Sequence, residues 1–175
     1  GLRLNKSKSQ FIFNDPLIGG IKFCNDFKYL CVYFNGSVVN YKIIDTKLYP
    51  MFSFSAHVQK PVSQLFDVQL GIDLFNNYAM VEVIKDDTRV NASTLPDHKR
   101  AGISSGIEYH MNKISIQFNI GYYLYAPYTG AFGNLYQRYG LKFYVNDNVY
   151  INTGFKSHRA DAENAEFGLG YRFYL

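Results

Sequence analysis

Tryptophan is missing from these 175 residues, and cysteine occurs only twice. Cys24 and Cys31 stand seven apart, with no CxxC pair and no Cys/His cluster, which excludes a zinc site of ordinary spacing. In an oxidising compartment they could form one disulfide across a short loop; two unpaired thiols is the alternative. No stretch approaches the roughly 20 consecutive apolar residues of a transmembrane helix, since Lys, Asn or Asp breaks each candidate. The start, Gly1 to Lys8, lacks the apolar segment of an export signal, and Gly1 reads as a remnant left after such a signal is removed. Residues 1–15 are expected to form a poorly ordered lead-in to a single domain spanning 1–175. Charged residues make up only 18%, with a net charge of +4 and a pI near 8.9. The Lys and Arg are scattered, which argues against nucleic acid and leaves anionic lipid as the fitting partner of a basic chain.

Aromatic residues are what the chain has in excess: 16 Tyr and 15 Phe, together 18%. These rings favour strands and membrane interfaces, where one end of the side chain is apolar and the other wet. The mean hydropathy of −0.17 would suit a water-soluble protein, but it also suits a membrane barrel, half of whose strand residues face a polar interior.

Side chains alternate with period two between turn signals, and helical periodicity is scarce. From Lys113 to Ala126, Ile114, Ile116, Phe118, Ile120, Tyr122 and Leu124 share one face, against Ser115, Gln117, Asn119 and Gly121 on the other. Similar runs lie at 51–58, 62–75, 101–110, 135–145, 149–158 and 165–175, with a weaker first strand near Leu17 to Phe23. That makes eight strands, the smallest even number a bacterial single-chain barrel uses. Short turns are expected at 59–61, at Asn112 and at 146–148. Longer connections are expected at 24–50 and 76–100, with an intermediate one at 127–134 and a short one at 159–164. Asp86-Asp87 and the run from Asp97 to Arg100 read as solvated loop charges, or as groups meeting lipopolysaccharide phosphates.

On the polar faces fall Asp67, Asp73, Glu108 and Glu166 together with Lys22, Arg138, Lys142, Lys156 and Arg172. Charges taken out of water need partners, and a narrow lumen supplies them. Glycines on the same face, such as Gly121 and Gly170, leave room for long side chains. A soluble barrel of the lipocalin type would carry the opposite polarity, with an apolar interior. The Gly-rich, charge-balanced polar faces, the nearly charge-free apolar faces of the last four strands and the alternating loop lengths favour the membrane. The expected fold is therefore all-β: an eight-stranded antiparallel up-and-down transmembrane β-barrel, in the outer membrane of a Gram-negative bacterium.

The C-terminal hairpin carries the best candidate for chemistry. His158 closes one strand and Glu166 lies on the next, on a face of the same parity. A histidine oriented by a carboxylate is the base half of a nucleophile–base–acid arrangement. The alternative is that both belong to the lumen charge network with Lys156 and Arg172. His57 and His110 read as lumen or interface groups.

The segments Tyr136 to Tyr144, Phe155-Lys156-Ser157-His158 and Glu166-Phe167-Gly168-Leu169-Gly170-Tyr171-Arg172-Phe173 resemble the C-terminal part of the PagL-type lipid A deacylases and related acyloxyacyl hydrolase barrels. The resemblance covers the C-terminal part of the chain well, and the upstream strands in pattern only. It implies an outer-membrane barrel that removes an ester-linked acyl chain from lipid A with a Ser, a His and a Glu, without metal or cofactor. His158 then matches the base and Glu166 the orienting acid, with Glu163 as runner-up. The family serine stands two residues after the histidine, where this chain has Ala160. Ser157 is the neighbouring hydroxyl, but a regular strand points it away from His158, so its use requires a bulge. Three functions follow as expectations: an active lipid A deacylase, a degenerate one that still binds lipid A or lipopolysaccharide, or a non-enzymatic structural or partner-binding barrel.

Overall fold

The computed structural model describes residues 27–40, 47–91, 95–129, 133–159 and 161–175. Eight strands form one closed antiparallel barrel in sequence order: β1 (Tyr29–Asn40), β2 (Leu48–Pro61), β3 (Phe66–Asn77), β4 (Lys99–Met111), β5 (Ile114–Tyr125), β6 (Leu135–Tyr144), β7 (Val149–His158) and β8 (Asp161–Tyr174). Closure comes from β1 pairing with β8, from Tyr29 opposite Tyr174 to Gly36 opposite Phe167. A closed ring has no edge, which lets strands cross a bilayer with every ladder group satisfied.

The polarity is that of a membrane barrel. One outward residue from each strand in turn, Phe34, Phe54, Ile72, Ile103, Ile120, Tyr139, Ile151 and Leu169, is exposed. The alternate positions are polar and buried: Asn35, Ser55, Asp73, Ser104, Asn119, Arg138, Asn152 and Glu166. In water such an apolar belt would be heavily unfavourable, at about 25 cal/mol for each Å² left wet; in lipid it is the stable face. No helix among the described residues is long and apolar enough to cross a membrane. The short turns lie at one end of the barrel, with the start of β1 and the end of β8. The longer connections lie at the other, together with the tight β7–β8 turn, which makes them the periplasmic and outer ends respectively.

The turn expected at 59–61 lies at 62–65, because β2 runs to Pro61, and the connection expected at 159–164 is cut short, because β8 begins at Asp161. Two larger expectations also need correction. The stretch 24–50 is not one long connection, because β1 lies inside it; the strand expected near Leu17 to Phe23, like Lys22, lies outside the described residues. Alternation fails there for a physical reason. Leu30, Val32 and Phe34 face out, but the inward residues between them are Cys31 and Tyr33, so the run is apolar on both faces. Cys31 is a buried free thiol that donates to Gln59 Oε1 at 3.1 Å; Cys24, the other half of the disulfide considered above, lies outside the described residues. Secondly, the connection 76–100 contains a helix, α1 (Ala79–Asp86), and Arg100 is not a solvated loop charge but a buried residue of β4. The helix turns Ala79, Met80 and Ile84 inward, and Met80 Sδ lies 3.6 Å from Arg100 Nη2, so α1 sits over the outer end of the lumen. Past the helix, Arg89 holds the Asp87 carboxyl well below the usual carboxylate range. The Tyr128 hydroxyl donates to the same carboxylate at 2.8 Å and joins two outer loops.

The lumen is filled. Arg138 spans its middle, donating to Asp73 at 2.8 Å, to Glu166 at 2.7 Å and to the Ser55 hydroxyl at 2.6 Å. His57 and Tyr136 complete the Asp73 side at 3.1 and 2.7 Å. Towards the periplasm, Lys142, Gln59, Ser115 and Tyr144 surround Glu108. Tyr136 and Tyr150 lie flat against the wall only because Gly121 and Gly170 face them; a Cβ on either glycine would fall inside the facing ring. Removing one member of a buried ion cluster costs about 3–5 kcal/mol, because the partners stay buried and uncompensated. Arg138→Met should therefore lower barrel stability by that order in urea titrations of the refolded protein, whereas Lys85→Met, on the exposed face of α1, should change it by less than about 0.5 kcal/mol.

Candidate functional site

β7 ends with Lys156, Ser157 and His158, and β8 begins at Asp161. The turn between them is tight: His158 still pairs with Asp161, and Arg159 takes a left-handed backbone with φ 57°. The register shifts at this end. Lys156 pairs with Asn164, but Ser157 pairs with Ala162, so Glu163 is an extra residue on β8. Such a bulge re-aims a side chain. Regular parity would set Glu163 on the face opposite Asn164 and Glu166; the bulge instead brings its carboxylate into the lumen, 6% exposed.

Glu163 there collects four side chains. Its Oε2 lies 2.7 Å from Lys156 Nζ and 3.2 Å from His158 Nδ1. Its Oε1 accepts from Asn77 Nδ2 at 3.1 Å and lies 3.6 Å from Arg100 Nη1. On the other side of the imidazole, His158 Nε2 is 3.0 Å from the Tyr123 hydroxyl. Tyr123 stacks on Tyr136 with centroids 4.6 Å apart, and the Arg100 guanidinium sits 5.3 Å from its ring. Lys156 Nζ lies 4.0 Å from the Phe75 ring centroid. The cluster thus draws on β3, β4, β5, β7 and β8 and occupies the outer end of the lumen, beside α1.

Chemically this is an imidazole with a carboxylate at one nitrogen and a hydroxyl at the other. With the proton on Nδ1, on the Glu163 side, Nε2 would be the basic nitrogen and would accept from the Tyr123 hydroxyl. Lys156 and Arg100 add positive charge around the same carboxylate, a setting able to receive a developing anion.

Of the residues singled out from sequence, His158 lies in this cluster and Glu166 does not. Glu166 accepts from Arg138 and from Ser53 Oγ at 2.9 Å, deeper in the lumen. The carboxylate beside His158 is that of Glu163. Ser157 sits on the opposite face of β7, where its hydroxyl donates to Gln137 Oε1 at 3.3 Å; Ala160 lies outside the described residues. Tyr123 and Arg100 carried no sequence signal of their own. Tyr123 is an aromatic at an inward position of a strand that parity does read, but neither parity nor composition says that it faces a histidine.

The chain matches the family described as acyloxyacyl hydrolase, C-terminal domain, over residues 27–175. No curated protein matches. Solved structures similar to it include a de novo designed transmembrane β-barrel, 9% identical, covering 86% of this chain and 99% of that one with a TM-score of 0.47. Ail, the attachment invasion locus protein of Yersinia pestis, is 17% identical, with 85% and 99% covered and a TM-score of 0.46. Neisserial surface protein A is 11% identical, with 85% and 97% covered and a TM-score of 0.42.

The arrangement makes a spectroscopic prediction. In ¹⁵N-edited imidazole spectra of the refolded barrel, Glu163→Gln should change the His158 tautomer ratio, and Tyr123→Phe should shift the Nε2 resonance. Glu166→Gln should leave both as in the wild type. A His158 spectrum that responds to Glu166 rather than Glu163 would contradict the assignment.

Proposed function

Because the chain belongs to the acyloxyacyl hydrolase C-terminal domain family, matched across the whole barrel, we propose that it is an outer-membrane hydrolase that removes an ester-linked acyl chain from lipid A, with His158 as general base. The observation that carries this reading is the imidazole flanked by Glu163 on Nδ1 and a hydroxyl on Nε2.

Ala160 stands where the family serine would be, and the Ser157 hydroxyl faces Gln137. The attacking oxygen in this reading therefore comes from water, which takes the place that the Tyr123 hydroxyl holds at Nε2. His158 Nε2 takes a proton as the water oxygen bonds to the acyl carbonyl carbon, and returns it to the leaving alcohol oxygen when the ester bond breaks. Glu163 remains ionised and balances the transient imidazolium. Lys156 and Arg100 lie beside it, so the anionic tetrahedral centre forms near fixed positive charge. Glu166 serves the site indirectly, by fixing Arg138 and so the register of β6 against β8. No metal or cofactor is required. The β7–β8 connection is the shortest at the outer end, and in this reading a lipid A headgroup in the outer leaflet approaches His158 over it. Lipopolysaccharide and bulk outer-membrane lipid are the partners this implies.

A second reading, favoured by Ala160, is a barrel that still holds lipid A at this rim but no longer cleaves it. Mass spectrometry of lipid A after incubation with the reconstituted protein separates the two. The hydrolase reading expects loss of one acyl chain, slowed at least about 100-fold by His158→Ala or Glu163→Gln. Intact lipid A that nevertheless co-purifies with the wild-type barrel would leave the binding role and remove the enzymatic one.

A further inference from the structure

We propose that the periplasmic mouth of the barrel binds a small oxyanion, a carboxylate or a phosphate, between Arg172 and Lys113. The site is independent of the rim cluster and lies at the opposite end of the lumen. A cleft of about 220 Å³ opens there, lined by His110, Asn112, Lys113, Tyr144, Asp147 and Arg172 among others.

The unusual feature is where the positive charge goes. Each cation deeper in the lumen has a carboxylate within ion-pair distance: Arg100 and Lys156 have Glu163, Arg138 has Asp73 and Glu166, and Lys142 has Glu108. His110 is matched with Asp67 at 2.9 Å. Arg172 and Lys113 line the cleft with no carboxylate paired to either among the described residues. Arg172 is nonetheless held in place. Its Nε and Nη2 both donate to the Asp147 carbonyl, at 3.2 and 2.9 Å. Its guanidinium lies 4.7 Å from the Tyr29 ring centroid and 4.6 Å from that of Tyr144. A guanidinium fixed between two rings loses little entropy on meeting a ligand, and with the Nε/Nη2 edge turned to the Asp147 carbonyl, its Nη1/Nη2 edge is the one that suits the paired oxygens of a carboxylate or phosphate. Lys113, exposed on the two-residue turn between β4 and β5, adds a second positive charge to the lining. The acid lining the cleft is Asp147, at its solvent edge, where it opposes an anion.

The volume admits one terminal carboxylate with a small side chain, or one phosphate, and excludes a sugar chain or a lipid tail. The ligand is therefore a free anion in the periplasm or the anionic end of a larger molecule presented from that side.

The test uses the full chain refolded in detergent, titrated at constant ionic strength with sodium phosphate, with N-acetyl-D-alanine, and with chloride as control. Backbone amide shifts of Asn112, Lys113 and Asn148 report the cleft. Saturable shifts with phosphate, with the carboxylate, or with both support the site, and the pattern tells which oxyanion it takes. Arg172→Gln and Lys113→Gln should each weaken binding about tenfold or more, and Asp147→Asn should tighten it. Since Lys113 is exposed, its variant keeps the test valid even if Arg172→Gln fails to fold. Shifts that rise linearly and match those of chloride, or affinities unchanged in Lys113→Gln, would overturn the proposal.

Discussion

An arginine with a carboxylate on either side holds the middle of this barrel. Arg138 joins Asp73 on β3 to Glu166 on β8 across the lumen, and the rest of the interior is arranged around that bridge. Lipid outside the wall offers no solvation for charge, and inside it the charged side chains are buried among one another. Every interior ion must then find its counter-ion on another strand. Such pairs add little net stability over apolar packing, but they make wrong registers expensive. A slip of one residue in β6 would turn Arg138 and Lys142 into hydrocarbon and leave three carboxylates without their cations. The network is best understood as what selects this pairing from its neighbours.

The same requirement made most of the fold readable. Wherever the inward residues are polar and the outward ones apolar, as along β3 and β5, a sequence shows both the strand and its orientation. It failed at β1, where Cys31 and Tyr33 put apolar groups on the lumen side and erased the contrast. Tyr33 is inside because an arginine needs an aromatic neighbour and a hydroxyl there: Arg138 reaches its oxygen at 3.3 Å and its ring at 5.2 Å. That need arises from a residue more than a hundred positions away, and local pattern has no access to it. The helix over the outer mouth was missed for a related reason. It is only eight residues long, too short for its apolar stripe to repeat.

The rim cluster shows how a single inserted residue changes which side chain does a job. By strict alternation Glu166 faces His158 and Glu163 does not. The irregularity between β7 and β8 reverses this: it places Glu163 beside the imidazole and leaves Glu166 to the central arginine. A bulge costs local ladder geometry but has no compositional marker, so in the sequence Glu166 ranks first and Glu163 second, whereas the structure sets Glu163 beside the imidazole. Tyr123 completes the set from β5, and only the closed barrel makes β5 and β7 neighbours across a lumen rather than along a sheet.

The filled interior also has a consequence for the cell envelope. Among the described residues the lumen is filled by the wall's own side chains, with charged layers at different depths, and such an interior is packed rather than an open pore. The protein can therefore be abundant in an outer membrane without raising its permeability. What happens at its outer rim and at its periplasmic mouth can be linked only through the rigid staves between them.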